Sequence, residues 1–289
     1  MTAVTASSAL AQAPKRPART IVITPPGRLP LPGWRELWEA REVFLRFGTR
    51  DLKLRYRQTA LGVVWVVIQP LLSAGIFSIV FGQIADLGSD GVPYFVFSFA
   101  GMLCWTLFNG IVSRAAPSLV NNQALVSKVF FPRMLVPLSS VLSVLVDFLV
   151  ASALMVVLLV VYGITPGWAL LTLPVWIGLV ILLASGIGLL CSALMVQFRD
   201  VAYVVPFALQ TLLYASPLAY SLNEVSGSIR WLFDLNPLTW LLEGFRWAVL
   251  DLAQPPVWQL VAAVLVSVVV FIGGALVFSK MERGFADVI

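Results

Sequence analysis

The chain has 289 residues, of which 60% are hydrophobic and 11% are charged, and its formal net charge is +5. An ordinary soluble domain contains roughly 45–50% apolar and about 25% charged residues, so this composition excludes a soluble fold and predicts a surface that faces lipid. The basic residues lie beside apolar runs, which indicates membrane topology and not nucleic-acid binding, and the lack of histidine removes the commonest metal ligand and general base.

The N-terminal part of the chain contains two different segments. Residues 1–33 are rich in Ala, Pro, Ser and Thr, and their proline density excludes a helix, so we expect a flexible cytoplasmic tail. Residues 34–58 alternate apolar side chains with charges such as Arg41, Arg46 and Arg50. This pattern predicts an amphipathic helix in the membrane interface, with a helix of a soluble domain as the alternative.

Six apolar segments follow, each near the ~20 residues that a helix needs to cross a bilayer. We predict spans over residues 61–84, 94–113, 138–162, 168–196, 204–222 and 257–279. With the N-terminus in the cytoplasm, six crossings place all 19 Lys and Arg residues on the cytoplasmic side except Arg230 and Arg246. The positive-inside rule therefore predicts that both termini are cytoplasmic.

The segment of residues 223–256, between the fifth and sixth spans, is strongly apolar and long for an external loop. Neither half is long enough to cross a bilayer, so we predict two short helices that re-enter the outer leaflet and form an external gate. Pro237 suits a helix start. Glu243 and Arg246 share a helix face, as a gating pair or a solvated pair. The candidate gate residues are Asn236, Pro237, Glu243, Arg246 and Trp247.

No motif for nucleotide chemistry occurs in the sequence. The phosphate-binding loop of an ATPase ends in Gly-Lys followed by Ser or Thr. The four lysines of this chain are Lys15, Lys53, Lys128 and Lys280, and each follows Pro, Leu or Ser. We therefore expect no catalytic group, metal or cofactor on this chain. If ATP drives this protein, ATP and Mg²⁺ must bind a separate subunit.

Asp147 is a carboxylate well inside the third predicted span. A charge at this depth is costly, so Asp147 is expected to be paired, protonated or facing water. It is a candidate residue of a polar pathway, and a helix-packing hydrogen bond is the alternative. A lone acid of this kind is also the pattern of a proton-coupled carrier.

The loop of residues 114–137 combines charges with two adjacent aromatic residues, Phe130 and Phe131. Its basic residues alone are only a topology signal. Exposed aromatic rings beside charges indicate more, namely a docking surface for a soluble partner protein.

Short motifs occur in a fixed order between about residues 34 and 283. They are RYRQTALG at 55–62, QPL at 69–71, KVFFPR at 128–133, VDF at 146–148, FRDV at 198–201, NPLT at 236–239 and EGFRW at 243–247. Together they resemble ABC type-2 permeases that export polysaccharides. The resemblance implies an all-α integral membrane protein with six transmembrane helices over residues 59–283.

The same resemblance implies partners and a location. Such permeases work as two copies with two separate ATP-binding subunits and move lipid-linked glycans, such as O-antigen, teichoic acid, capsule or galactan, across the bacterial inner membrane. Residues 117–131 would be the coupling helix that contacts the ATPase. The residues that the resemblance assigns to ATPase coupling are Asn122, Lys128, Phe130, Phe131, Arg133, Arg199 and Asp200.

A sugar polymer needs a wet conduit with aromatic walls, because sugar C–H faces pack on rings while hydroxyl groups keep their hydrogen bonds. The candidate lining residues are Trp65, Trp105, Phe108, Trp176 and Tyr214, together with Asp147. Each aromatic residue has lipid contact or core packing as its alternative. Three rival functions stay open: an exporter of a small hydrophobic molecule such as a drug, a proton-driven carrier that uses Asp147, and a membrane-bound glycan enzyme.

Overall fold

The computed structural model describes residues 34–57, 62–126, 131–225 and 227–285. One compact unit begins at Leu31 and contains all of these residues, whereas the predicted tail of residues 1–33 lies outside them. The regular structure of the described residues is helical throughout, without a strand. The predicted all-α class is therefore confirmed.

The α-helices of the described residues are numbered here in chain order. They are α1 (Trp34–Glu39), α2 (Arg41–Arg57), α3 (Gly62–Phe77), α4 (Tyr94–Ala115), α5 (Ser118–Asn121), α6 (Gln123–Val126), α7 (Leu135–Val161), α8 (Leu173–Gln197), α9 (Val201–Tyr214), α10 (Gly227–Asp234), α11 (Pro237–Leu250) and α12 (Val257–Met281). A π-helical segment, Ser78–Ile84, continues α3, and a 3₁₀ segment, Trp168–Thr172, precedes α8.

Five helical segments are long and apolar enough to cross a membrane, and they coincide with five of the six predicted spans. They are Val64–Ile84, Tyr94–Ala115, Leu135–Val161, Trp168–Gln197 and Val257–Met281. The fifth predicted span, residues 204–222, is wrong as one continuous helix, because α9 ends at Tyr214. Pro217 lacks a backbone N–H and disfavours the helical conformation of Ser216. The 14 residues of α9 rise about 21 Å, less than the hydrocarbon core of about 30 Å.

Two other predicted helices are interrupted. The predicted interface helix of residues 34–58 consists of α1 and α2, with a turn at Ala40. The predicted coupling helix of residues 117–131 is wrong as a continuous helix, because α5 and α6 are single turns on either side of Asn122. The Asn122 side-chain amide donates to the carbonyl of Ser118 at 2.8 Å, a local bond that competes with helix continuation.

Helix α4 lies at the centre of the bundle and packs against α3, α7, α8 and α11. Its buried side chains cover every face of the helix, which is the pattern of a helix enclosed by protein. The largest side chains of α4 that are fully buried are Phe97, Phe99, Leu103, Leu107, Phe108 and Ile111. By contrast, α3 and α9 each keep a broad apolar side exposed, including Trp65, Leu72 and Ile76 on α3 and Tyr203 and Phe207 on α9.

Helices α8 and α12 touch backbone to backbone. A Cβ atom added to Gly186 of α8 would lie 2.6 Å from the Cα of Phe271, and one added to Gly274 of α12 would overlap the carbonyl of Gly186. Small residues permit this close approach, which gives van der Waals contact between helices that the hydrophobic effect does not drive together in lipid. This pair forms the tightest contact between two spans.

Candidate functional site

A polar cleft of about 220 Å³ opens between α3, α4 and α7. Its polar lining residues are Gln69, Thr106, Asn109, Ser113, Arg114 and Asp147. All of them belong to helices that are long enough to span a membrane. Polar groups in such helices face protein or a water-filled space rather than lipid, so the cleft is the candidate functional site of the bundle.

The Arg114–Asp147 ion pair closes one side of the cleft. Arg114 donates from Nη2 to Asp147 Oδ2 at 2.5 Å and from Nη1 to Ser143 Oγ at 2.8 Å. Ser143 and Asp147 are four residues apart, so α7 presents both to the end of α4. Asp147 is therefore paired, which is one of its three predicted states, and the pair supplies the opposite charge that a carboxylate requires at this depth.

Helix α3 contributes a second set of polar groups. Pro70 lies inside the helix and has no backbone N–H, so the carbonyl of Val66 lacks its usual i→i−4 donor. Both residues line the cleft beside Gln69. The Gln69 side chain is exposed, and within the described part of the chain no hydrogen bond joins its amide to another residue. This wall of the cleft therefore has free hydrogen-bonding capacity.

Sequence reasoning identified Asp147 but missed the polar residues opposite it. Thr106, Asn109 and Ser113 follow each other at spacings of three and four, so they share one face of α4. This polar stripe within an apolar span is the sequence pattern from which the three residues could have been predicted. Arg114 was assigned to topology alone, because its partner is 33 positions away in the chain.

The aromatic residues proposed for the conduit divide into two groups. Trp105, Phe108 and Trp176 are buried in the core of the chain. Trp65 and Tyr214 are 54% and 68% exposed. The rings of the second group are therefore the more accessible to a ligand.

The external segment contains two short helices, α10 and α11, as predicted. Asn236 caps α11, since its Oδ1 accepts from the N–H of Leu238 at 3.0 Å, and Pro237 occupies the first turn. Trp247 is buried and packs edge to face on Trp168, with ring centroids 5.3 Å apart. The entry of this segment into the outer leaflet stays a prediction.

Arg246 is enclosed by protein, so the alternative of a solvated Glu243–Arg246 pair is wrong. Arg246 is 1% exposed, lies 3.6 Å from Glu243, and places its guanidinium carbon 3.8 Å from the ring centroid of Phe97. It donates to the carbonyls of Pro217 at 2.8 Å and Leu218 at 2.6 Å. These bonds attach α11 to the loop that follows α9.

Two more side chains hold the same loop. Asn236 donates to the carbonyl of Ala215 at 3.1 Å, and the Tyr94 hydroxyl donates to the carbonyl of Ala219. Non-helical backbone is tolerated at membrane depth only where protein or water satisfies it. The chain after α9 meets this requirement through side chains of α4, α11 and the residue that caps α11.

At the opposite end of the bundle, Phe131 is buried, so the prediction of an exposed Phe131 is wrong. Its ring packs on Phe47 of α2 at 5.7 Å between centroids, within an apolar cluster that includes Met134 and Phe278. An aromatic ring gains more from this burial than from exposure to water. Lys128 and Phe130 lie outside the described residues.

The remaining coupling candidates differ in accessibility. Arg199 and Asp200 are exposed in the turn between α8 and α9, whereas Asn122 is half-buried and accepts from Arg50 Nη2 at 2.6 Å. The N–H of Arg133 donates to Glu282 Oε1 at 3.3 Å. Burial raises the pKa of the Glu282 carboxyl, and the contacts with Arg133 oppose this rise.

Comparison with known proteins agrees with this architecture. The ABC-2 type transporter family model matches residues 42–250. The O-antigen export system permease protein RfbA of Myxococcus xanthus is 29% identical over 255 residues, which cover 88% of this chain and 97% of the relative. The protein of the same name from Klebsiella pneumoniae is 28% identical over 243 residues, covering 83% and 92%.

A further relative is the polysialic acid transport protein KpsM of Escherichia coli, which is 25% identical over 207 residues, 70% of this chain and 78% of its own. The family model covers most of the chain and includes α3, α4, α7 and α11, the helices that carry the cleft and the buried arginine. This chain belongs to the ABC-2 type transporter family.

Proposed function

We propose that this chain is the permease subunit of an ATP-driven exporter that moves a lipid-linked polysaccharide from the cytoplasm to the outer side of the bacterial inner membrane. Two copies would work with two separate ATP-binding subunits. Both termini would be cytoplasmic, with α9 and the segment after it forming the fifth crossing. The names of the relatives supply the substrate class, since they are export proteins for O-antigen and polysialic acid.

The polar cleft is the observation that carries this proposal. A small apolar substrate needs no hydroxyl, amide or ionic groups along its path through the spans. A glycan does need them, because its hydroxyl groups must stay hydrogen-bonded at every depth in the membrane. The exposed rings of Trp65 and Tyr214 supply the apolar surface on which sugar C–H faces pack.

A separate ATPase fits the exposed cytoplasmic features. No lysine of the sequence follows a glycine, so the chain lacks the phosphate-binding lysine motif. Arg199 and Asp200 offer an accessible charged turn for contact with that subunit. Arg50 joins α2 to Asn122, so a force on the α5–α6 turns would also reach α2. Nucleotide binding shifts the transport cycle only if this contact differs between its states.

One observation favours the second candidate, an exporter of a small hydrophobic molecule. An apolar groove of about 380 Å³ lies between α4, α8 and α9, with Phe108, Ile187 and Leu209 among its lining residues. The groove has almost no polar lining atoms, as a drug-like ligand prefers. The ion pair of Asp147 with Arg114 gives no comparable support to the proton-driven carrier, because that candidate was suggested by a lone acid and Asp147 has an opposite charge beside it.

Deletion of the gene in its host tests the proposal. We expect loss of surface polysaccharide and accumulation of lipid-linked glycan inside the cell, both reversed by the wild-type chain. Unchanged surface polysaccharide with increased sensitivity to hydrophobic drugs would support the second candidate. Export that stops when the proton gradient is collapsed at constant ATP would instead favour the secondary carrier.

A further inference from the structure

The cleft between α3, α4 and α7 has the composition of a sugar-binding site. Its side chains include amides from Gln69 and Asn109 and the paired ions Arg114 and Asp147. Amides donate and accept hydrogen bonds, arginine donates them and a carboxylate accepts them, and a sugar hydroxyl group can pair with each because it both donates and accepts. We propose that the cleft binds one uncharged sugar ring of the transported glycan. This inference rests on the proposed function and specifies where, and with which charge, the substrate is recognised.

The charge balance of the cleft favours a neutral ligand over an anion. Arg114 and Asp147 are the only charged side chains among the described residues that line it, and their charges face each other at 2.5 Å. A phosphate or carboxylate would compete with Asp147 for Arg114 and would disrupt the ion pair. A sugar hydroxyl carries no charge, so it can form hydrogen bonds beside the pair without separating the ions.

Helix α3 supplies the capacity that the ion pair leaves unfilled. The exposed amide of Gln69 belongs to the cleft wall, beside Val66 and Pro70. It offers one acceptor oxygen and two N–H donors. Lipid cannot satisfy these groups, so a hydroxylated ligand or water must.

Trp65 gives the site an apolar face. It precedes Gln69 by four residues, so the two side chains lie on the same side of α3. The ring is 54% exposed. A sugar ring that packs its C–H face on this indole would direct its hydroxyl groups towards Gln69 and Asn109.

The size of the cleft limits the ligand to about one ring. Its volume of about 220 Å³ is below the roughly 300–1,000 Å³ of sites for drug-sized molecules. A polymer would therefore pass the site one unit at a time, with its other rings outside the cleft.

Cysteine protection tests the site on the full-length chain in lipid nanodiscs. Cys104 and Cys191 are first replaced by Ala. Ser113→Cys then places a thiol in the cleft without removing a proposed ligand group. Thr106→Cys is a second labelling position in the same wall. A charged, water-soluble thiol reagent is then applied with either of two probes. One is a neutral oligosaccharide released from the surface polysaccharide of the host, and the other is inorganic pyrophosphate.

We expect both thiols to react, the oligosaccharide to slow the reaction, and pyrophosphate to leave it unchanged. Gln69→Ala and Asn109→Ala should each abolish the protection. The control is Gln197→Cys at the exposed end of α8, outside the cleft, whose labelling neither probe should change.

Four results would overturn the inference: no labelling in the absence of probe, protection by pyrophosphate, no protection by the oligosaccharide, or a host polysaccharide in which every sugar is charged. The proposed function is tested separately by the gene deletion. Restored surface polysaccharide without cysteine protection would reject this site and leave the exporter intact. Protection without any export defect on deletion would reject the exporter.

Discussion

Replacing the enclosed arginine of α11 tests how the loop after α9 is held. The change Arg246→Met keeps a long side chain and most of its apolar contact with Phe97, so the cavity that it creates is small. It removes both donors to the carbonyls of Pro217 and Leu218. It also removes the positive charge 3.6 Å from Glu243.

The expected cost follows from the two carbonyls. Each buried acceptor that loses its donor costs about 1–3 kcal/mol, which gives about 2–6 kcal/mol for the pair. Hydrogen bonds between membrane helices average only about 0.6 kcal/mol, because the unfolded helices find other partners. Arg246 is 1% exposed, so water cannot replace its donors. We therefore expect a loss of about 3 kcal/mol, near the lower end of the range.

The assay is reversible unfolding of the purified chain in mixed micelles, followed by tryptophan fluorescence as the denaturing detergent increases. Arg230→Met is the matched control, because Arg230 makes a single 3.4 Å bond to the carbonyl of Leu222 and lies in the more exposed helix α10. This control should lose less than about 1 kcal/mol. Equal losses in the two variants would refute the argument that the loop carbonyls depend on Arg246.

Two further predictions concern the end of the bundle that contains Phe131 and Glu282. Phe131→Ala should lower the free energy of unfolding by about 3–5 kcal/mol, because Phe131 packs on Phe47 in a buried cluster. The control Phe198→Ala, at a ring that is 53% exposed, should change it by less than about 0.5 kcal/mol. Similar losses in the two variants would contradict the packing of Phe131. Burial raises the pKa of Glu282, so the folded chain binds this proton more tightly than the unfolded chain and gains stability as pH falls from above the folded pKa towards the unfolded pKa. Glu282→Gln should remove this part of the pH dependence, and an unchanged difference in stability between neutral and mildly acidic pH would exclude it.

Hydropathy predicted most of the fold because each span is a local property of the chain. Twenty apolar residues in a row need lipid whatever their neighbours are, so five spans agree with the helices of the structure. The fifth predicted span, residues 204–222, was wrong because hydropathy does not indicate where the backbone hydrogen bonds of a helix end. Pro217 carried that information, and the chain continues as a loop whose carbonyls are satisfied by side chains from elsewhere.

The candidate site was less predictable because it depends on contacts between distant residues. Asp147 was conspicuous as a lone acid, but its partner Arg114 is on a different helix. Phe131 was misassigned because an aromatic residue beside charges has the same local pattern whether it faces water or Phe47. Only the arrangement of α2 against α7 decides between the two.

The contact between Gly186 and Gly274 has a mechanical consequence. Two helices whose backbones touch cannot slide past each other by a turn without first separating, and the lost contacts make such a separation costly. We therefore regard α8 and α12 as a rigid pair of helices, against which the other helices of the chain move. Rearrangement during a transport cycle would then fall to α3 and α9, the two helices with a broad exposed apolar side.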